Sequence, residues 1–259
     1  MNIETPALSC IVVGAAGGIG RAVCEGIASA GGRAFLLGRT EETLRPLAAE
    51  LGFPYSVADA SNWEQLDAAV ALAETELGSI NAAINLAGSV LLKPAHLTSR
   101  ADWDATLAAN LTSAFGVLRA VTPRMFKSGG SVVLLSSAAA SIGLSNHEAI
   151  AACKSGIEGM VRSAATTYAS KSIRVNAIAP GLVETPMTER IWKQPRAAEA
   201  SLMMHPLGRF GTPDEIARGI LFLASPEQSW ITGQVLGIDG GLGRLKTMNA
   251  PKPGNASMS

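Results

Sequence analysis

The chain has 259 residues, of which 47% are hydrophobic and 16% are charged, so it is long and apolar enough to bury a large core. This composition excludes disorder over most of the length. Its 21 basic and 21 acidic side chains cancel, so no bulk charge attracts nucleic acid.

The cysteines and the N-terminal segment bear on the cellular compartment in which the protein is expected. Cys10, Cys24 and Cys153 match no metal-ligand spacing, so we interpret them as reduced core thiols and expect no metal site. The first ten residues lack the basic start of a secretory signal, and no uncharged apolar run reaches about 18 residues. The sequence therefore predicts a cytoplasmic protein without a membrane span.

Short apolar runs alternate with longer stretches of helical periodicity along the chain. The runs lie at 10–14, 33–38, 55–59, 82–88, 131–137, 173–180 and 234–241. Helical patterns between them include 18–30, 62–77, 101–126 and 148–169. Because right-handed crossovers join parallel strands, this alternation predicts a single α/β domain: a doubly wound, seven-stranded parallel sheet with helices on both faces.

Two segments depart from this alternation. Residues 187–208 mix charges with Trp192, Leu202 and Met203, which fits either an ordinary surface helix pair or a mobile substrate lid with an apolar underside. Residues 244–259 are rich in Pro, Gly, Asn and Ser, and we predict a flexible tail there.

A glycine-rich turn follows the first strand and leads into a helix. Gly14, Gly17, Gly18 and Gly20 occupy this turn. A pyrophosphate at the helix N-terminus is the expected ligand, with close backbone packing as the alternative interpretation. The spacing is Gly14-x-x-x-Gly18-x-Gly20 rather than the G-x-G-x-x-G of other dinucleotide-binding proteins.

This spacing resembles the short-chain dehydrogenase/reductase family, and the resemblance continues over most of the chain. The segment 85–88 resembles the family's Asn-Asn-Ala-Gly turn, with a leucine in place of its second Asn. The segment 173–187 resembles its nicotinamide-binding region. The resemblance implies a Rossmann-like domain over 1–243 and a nicotinamide dinucleotide cofactor. It implies that the cofactor-binding residues include Gly14, Gly18, Ile19, Gly20, Asp59, Asn85, Ala87, Gly88, Lys154, Pro180, Gly181 and Thr185.

The end of the second strand bears on the choice of dinucleotide. Gly38 stands where relatives that prefer NAD place an acid for the ribose hydroxyls, and Arg39 follows it. A guanidinium at this place suits a 2′-phosphate, although Arg39 is alternatively a solvated charge at the strand end. We therefore predict that NADP(H) is preferred, with NAD(H) as the second choice.

The resemblance also implies the catalytic groups. In the family, a tyrosine passes the proton, a lysine four residues later bonds the nicotinamide ribose, and a serine 13 residues before the tyrosine orients the substrate oxygen. The family's serine falls on Ser137, its lysine on Lys154 and its asparagine on Asn110, but the tyrosine position is Ile150. Tyr168 lies 14 residues beyond Lys154, roughly 21 Å along one helix, which is too far to substitute.

One candidate for the missing acid is His147, two helical turns before Lys154 and roughly on the same face. The alternative is that His147 faces solvent in the first turn. Glu148 follows Ser145 by three, the spacing of a capping box, so we expect Glu148 to cap this helix. The predicted catalytic residues are Ser137, Lys154, Asn110 and His147.

Two functions of different classes follow. The first is an NADP(H)-dependent oxidoreductase that acts on a small-molecule carbonyl or alcohol with altered proton-transfer machinery. The second is a catalytically inactive dinucleotide-binding sensor or scaffold protein. The helices at 101–126 and 148–169 resemble those that assemble family members, so we predict a homotetramer.

Overall fold

The computed structural model describes residues 7–246. Seven strands form one parallel sheet in the order β3-β2-β1-β4-β5-β6-β7. Their bounds are β1 (Ser9–Val13), β2 (Arg33–Gly38), β3 (Tyr55–Val57), β4 (Ala82–Asn85), β5 (Gly130–Leu135), β6 (Ile173–Pro180) and β7 (Val235–Ile238). The predicted fold class, a doubly wound seven-stranded parallel sheet, is confirmed.

Helices cover both faces of the sheet. Their bounds are α1 (Gly18–Ser29), α2 (Glu41–Leu51), α3 (Trp63–Leu77), α4 (Arg100–Leu107), α5 (Ser113–Val121), α6 (Glu148–Tyr168), α7 (Glu189–Trp192), α8 (Pro195–Met204) and α9 (Pro213–Ala224). The core forms two clusters, one beneath α3, α5 and α6 and the other beneath α1, α2 and α9. Because the five central strands are mostly buried, they read as continuous apolar runs, whereas the edge strands β3 and β7 are partly exposed.

The strand order reverses beside β1, which pairs with β2 on one side and with β4 on the other. Parallel strands place their carboxyl ends at one edge of the sheet, and the crevice at such a reversal is where open α/β sheets bind ligands. The glycine turn after β1 and the segment after β4 meet in this crevice.

The predicted helix over 101–126 is wrong in detail. The structure replaces it with α4, a π-helical turn at Ala108–Thr112, α5 and a short 3₁₀ turn at Thr122–Met125. The π turn holds one extra residue, and such turns occur mostly inside α-helices at functional sites. It contains Asn110, which is 1% exposed.

The two irregular segments differ in how far the structure describes them. Residues 187–208 contain the helix pair α7 and α8, in which Met203 and Met204 face solvent and Trp192 is half-buried. The mobility of this segment stays a prediction. The tail from 247 onward lies outside the described residues.

The cysteine prediction is confirmed, since Cys10, Cys24 and Cys153 are buried and free. Burial raises the pKa of the Cys24 thiol to about 12, so this group is an unreactive part of the core. Within residues 7–246, none of the helices is both long and apolar enough to cross a bilayer.

Candidate active site

The glycine turn requires its glycines for steric reasons. Gly14 has φ +79°, and a Cβ on it would lie 2.9 Å from the backbone carbon of Leu86. A Cβ on Gly20 would lie 2.2 Å from the Gly14 carbonyl oxygen. The turn therefore brings the N-terminus of α1 close to the segment after β4, which no larger residue would allow.

The N-terminus of α1 is suited to an anion. Gly17 is its N-cap residue and provides no side-chain cap, so the first N–H groups of the helix have no intrahelical or capping partner. These groups border a cavity of about 370 Å³ that also contains Gly18, Ile19 and Gly20. A dinucleotide pyrophosphate fits this arrangement of open N–H groups and absent side chains.

Pro180, Gly181 and Thr185 follow the end of β6 and line the same cavity. A Cβ on Gly18 would lie 3.1 Å from Cγ2 of Thr185, so this segment packs directly against the glycine turn. The indole N–H of Trp192 donates to the Thr185 carbonyl at 3.1 Å and ties α7 to the segment.

A second cavity, of about 170 Å³, adjoins the other side of the glycine turn and is lined by Gly38, Arg39, Asp59 and Ala87. Asp59 accepts hydrogen bonds from the backbone N–H and the hydroxyl of Ser61 at 2.8 and 2.7 Å. Burial opposes the ionisation of Asp59, but these bonds and the nearby Arg39 guanidinium together lower the pKa of its carboxyl. Asp59 is therefore an anionic acceptor beside an exposed arginine.

The turn after β4 borders both cavities. Gly88 borders both of them, whereas Asn85 is buried and lines neither. The Asn85 side chain accepts from the Ala87 N–H at 3.2 Å and so shapes the turn. Sequence reasoning missed Leu86 and Met187, which also border both cavities. The position of Leu86 between two predicted contact residues was a usable signal for it.

Asn110 joins the π turn to the segment after β4. Its amide nitrogen donates to the Thr106 carbonyl at 2.9 Å and to the Ser89 hydroxyl at 3.1 Å. A Cβ on Gly88 would lie 2.9 Å from the Asn110 amide oxygen. Asn110 therefore holds this wall of the cavity in place.

Lys154 is 5% exposed and reaches the cavity from α6. Its ammonium donates to the Leu135 carbonyl at 2.8 Å, at the end of β5. Burial lowers the pKa of Lys154 to about 8. Ser137 lines the same cavity, and its oxygen accepts the Ala139 N–H at 3.2 Å, which leaves the hydroxyl hydrogen to donate.

Ile150 also lines this cavity, one helical turn before Lys154, and is 4% exposed. The two tyrosines of the chain lie elsewhere: the Tyr55 hydroxyl donates to Glu41 at 3.2 Å, and the Tyr168 ring packs beside Phe126. Among the described residues that line the cavity, Lys154 is the single ionisable one.

The start of α6 differs from the expected capping box. Its N-cap is His147, so Glu148 is the first helical residue and cannot reach back as the box requires. The reason is Asn146, whose left-handed backbone (φ 64°) turns the chain just before the helix. The His147 ring bonds the Ser145 carbonyl through Nδ1 at 2.7 Å and is not part of the cavity lining.

Comparison with known proteins agrees with this geometry. A family model described as "Enoyl-(Acyl carrier protein) reductase" matches residues 14–243. A 3-oxoacyl-[acyl-carrier-protein] reductase of Thermotoga maritima is 40% identical over 241 residues, covering 90% of this chain and 96% of the relative. The chain belongs to the short-chain dehydrogenase/reductase family.

Two further members of the family are also similar to this chain. A D-threitol dehydrogenase of Mycolicibacterium smegmatis is 39% identical over 240 residues, covering 89% of this chain and 91% of that one. The crystal structure of levodione reductase has a TM-score of 0.87 at 30% identity, covering 92% of this chain and 99% of that chain. The chain is therefore an oxidoreductase of the short-chain dehydrogenase/reductase type.

Proposed function

We propose that this protein is an NADP(H)-dependent oxidoreductase that acts on a carbonyl or alcohol substrate without a tyrosine as its proton donor. The observation that carries this proposal is one cavity that holds Ser137, Asn110 and Lys154 together with Ile150. The named relatives, a 3-oxoacyl reductase and a polyol dehydrogenase, support the carbonyl and alcohol class without choosing between its members.

The cofactor, when bound, supplies or accepts a hydride at its nicotinamide ring. The N–H groups at the start of α1 hold its pyrophosphate, and the segment from Pro180 to Thr185 holds its nicotinamide end. Lys154 bonds the nicotinamide ribose, and Asp59 accepts from the adenine. Ser137 donates its hydroxyl hydrogen to the substrate oxygen.

Arg39 supports the preference for NADP(H). It lines the smaller cavity beside Gly38, and no carboxylate follows β2 at the place where one would bond the ribose hydroxyls. Its guanidinium is exposed and suits a 2′-phosphate.

The proton is supplied by a group other than a phenol. Lys154 is one donor, because its ammonium lies in the cavity and its pKa is lowered to about 8 by burial. An ordered water is the second candidate donor. His147, the N-cap residue of α6, is the third. The variant His147→Ala tests the third of these routes.

A non-catalytic dinucleotide sensor or scaffold is the second candidate function, and Ile150 is the observation that favours it. The test is a screen of NADPH oxidation over carbonyl substrates, combined with NADPH binding followed by nicotinamide fluorescence. Substrate-dependent oxidation supports the enzyme. Tight binding with no oxidation of any substrate contradicts it and supports the sensor.

We also infer a homotetramer and a reducing, cytoplasmic location. Trp103, Phe115 and Phe126 are exposed apolar side chains on or beside α4 and α5, which assembly would cover. Three buried free thiols fit a reducing compartment. The chemical partner is a small-molecule substrate, and the zero formal net charge offers no attraction for nucleic acid.

A further inference from the structure

His205 is a buried histidine that the proposed mechanism does not use. It directly follows the last residue of α8 and is 2% exposed. Its ring forms hydrogen bonds with two different segments: Nδ1 lies 2.7 Å from the Ser201 carbonyl oxygen, and Nε2 lies 3.0 Å from the backbone nitrogen of Leu182. The imidazole therefore joins the C-terminal turn of α8 to the segment that follows β6.

These two hydrogen bonds determine the protonation of the ring. A backbone N–H only donates, so the Nε2 atom that accepts from Leu182 carries no hydrogen. A carbonyl oxygen only accepts, so the Nδ1 atom beside the Ser201 oxygen carries one. The two bonds therefore require a neutral imidazole in the Nδ1–H tautomer. A charged ring would direct an N–H group at the N–H of Leu182, and that bond would be lost.

Charged side chains near the ring have partners of their own. His205 lines a cavity of about 250 Å³ with Arg209, Glu215 and Asp239. Arg209 and Glu215 form an ion pair at 2.6 Å, and the Asp239 carboxylate accepts from two backbone N–H groups at 2.9 and 2.8 Å. The position of the imidazole is therefore set by its two hydrogen bonds to the backbone and by packing.

The bond to Leu182 acts on a part of the chain that lines the cofactor cavity. A Cβ on Gly181 would lie 2.7 Å from the imidazole Nε2, so the ring packs directly against the Gly181 backbone. Gly181 lines both the cavity beside the imidazole and the larger one that contains Ser137 and Lys154. The Leu182 carbonyl accepts from the Gly211 N–H at 2.9 Å, so both backbone groups of Leu182 are held.

We propose that neutral His205 is a positioning residue for the nicotinamide end of the cofactor, an inference that rests on the function proposed above. It acts through the backbone of Gly181 and Leu182, since its ring is not part of the cofactor cavity lining. Without the imidazole, the Leu182 N–H loses its acceptor and the Gly181 backbone loses the ring packed against it. The segment after β6 then shifts and displaces the wall of the nicotinamide end, while the glycine turn and the cavity beside Arg39 stay in place.

Nitrogen-15 NMR tests the tautomer without any cofactor. The chain has three histidines, and the variant His205→Gln identifies the signals of His205 by their loss. Wild-type protein at neutral pH should show a His205 ring that is uncharged and carries its proton on Nδ1, the tautomer that free histidine disfavours. A proton on Nε2 instead, or a charged ring, contradicts the proposal whatever the protein binds.

Two ligands separate a positioning role from a general structural one. NADPH occupies both ends of the site, whereas 2′,5′-ADP has the adenosine and its phosphates without a nicotinamide. His205→Phe keeps a ring but removes both hydrogen bonds, so it should weaken NADPH binding about five- to thirtyfold and leave 2′,5′-ADP binding within about twofold. His205→Gln should restore most of the NADPH affinity, because its amide oxygen reaches about as far as Nε2 and accepts from Leu182.

The matched control is His96→Phe, which replaces an exposed histidine outside both cavities and should leave the binding of both ligands unchanged. Circular dichroism establishes that each variant is folded, and the tautomer of the wild type keeps the test decisive if His205→Phe is not. Unchanged NADPH binding by His205→Phe, or an equal loss for NADPH and 2′,5′-ADP, contradicts the positioning role and leaves the oxidoreductase intact. No NADPH binding by folded wild-type protein contradicts both proposals.

Discussion

Ile150 and Lys154 lie one turn apart on α6, about 6 Å along the helix axis, and line the same cavity. A phenol at position 150 would therefore stand beside the lysine that, in the family's usual pattern, lowers its pKa. The chain retains the serine and the lysine of that pattern with an alkyl group between them.

The substitution Ile150→Tyr should give the protein ketone reductase activity with NADPH. A positioned general acid contributes about 10²–10⁴ in rate, so cyclohexanone reduction should rise by a factor in that range. The double variant that combines Ile150→Tyr with Lys154→Met should lose this increase in cyclohexanone reduction. The control is Leu72→Tyr, which adds a phenol on the exposed face of α3. Fast ketone reduction by wild type that Ile150→Tyr abolishes would show that residue 150 is not the tyrosine position.

Arg39→Ala should weaken NADPH binding by about ten- to a hundredfold and leave NADH binding nearly unchanged, because only NADPH carries the 2′-phosphate. Dissociation constants from nicotinamide fluorescence measure both effects. Arg45→Ala is the matched control, since it removes an exposed guanidinium from α2 outside the cavity lining. If wild-type protein binds NADH as tightly as NADPH, the cofactor preference proposed here is wrong.

The stability of the protein should depend on pH through Lys154. Burial lowers the pKa of Lys154 from 10.5 to about 8. Between these values the unfolded chain holds a proton that the folded chain has released, so the free energy of unfolding should rise with pH from about 8 to 10.5. Below about pH 8 both states hold the proton and this contribution is constant. Urea unfolding of wild type and Lys154→Met over this window measures it, and identical pH dependence in the two proteins would contradict the burial argument.

His147→Ala should leave turnover within about twofold of wild type, because the ring bonds the Ser145 carbonyl and is not part of the cavity lining. Steady-state rates and NADPH affinity are measured together on one substrate that the wild type reduces. A large fall in kcat with cofactor affinity intact would instead identify His147 as the replacement acid.

Light scattering at micromolar concentration should give about four times the chain mass of 26.6 kDa. Phe115→Glu should lower the mass, since it places a charge on an exposed aromatic of α5. Leu97→Glu, at an exposed position before α4, is the comparison. A monomeric mass for the wild type would refute the tetramer.

The positions of the strands along the chain followed from local sequence signals. Apolar runs marked all seven strands, five of which are mostly buried, and two of the runs, 33–38 and 173–180, have the observed bounds. The resemblance to the family implied that Ser137, Ile150 and Lys154 share one site, and helix geometry put Ile150 one turn before Lys154. These relationships depend only on residues near one another in the chain.

Long-range contacts decided the remaining features. The π turn is joined by Asn110 to Ser89, 21 residues earlier, and helical periodicity carries no sign of that bond. The start of α6 depends on the backbone of Asn146, whose carbonyl accepts from the N–H of Lys93. The lowered pKa of Lys154 arises from its burial. Burial sums contributions from several elements that meet only in the folded chain. The sequence by itself therefore determined the strands and the candidate site residues, and tertiary packing determined the lowered pKa of Lys154 and which of the candidates face the cavity.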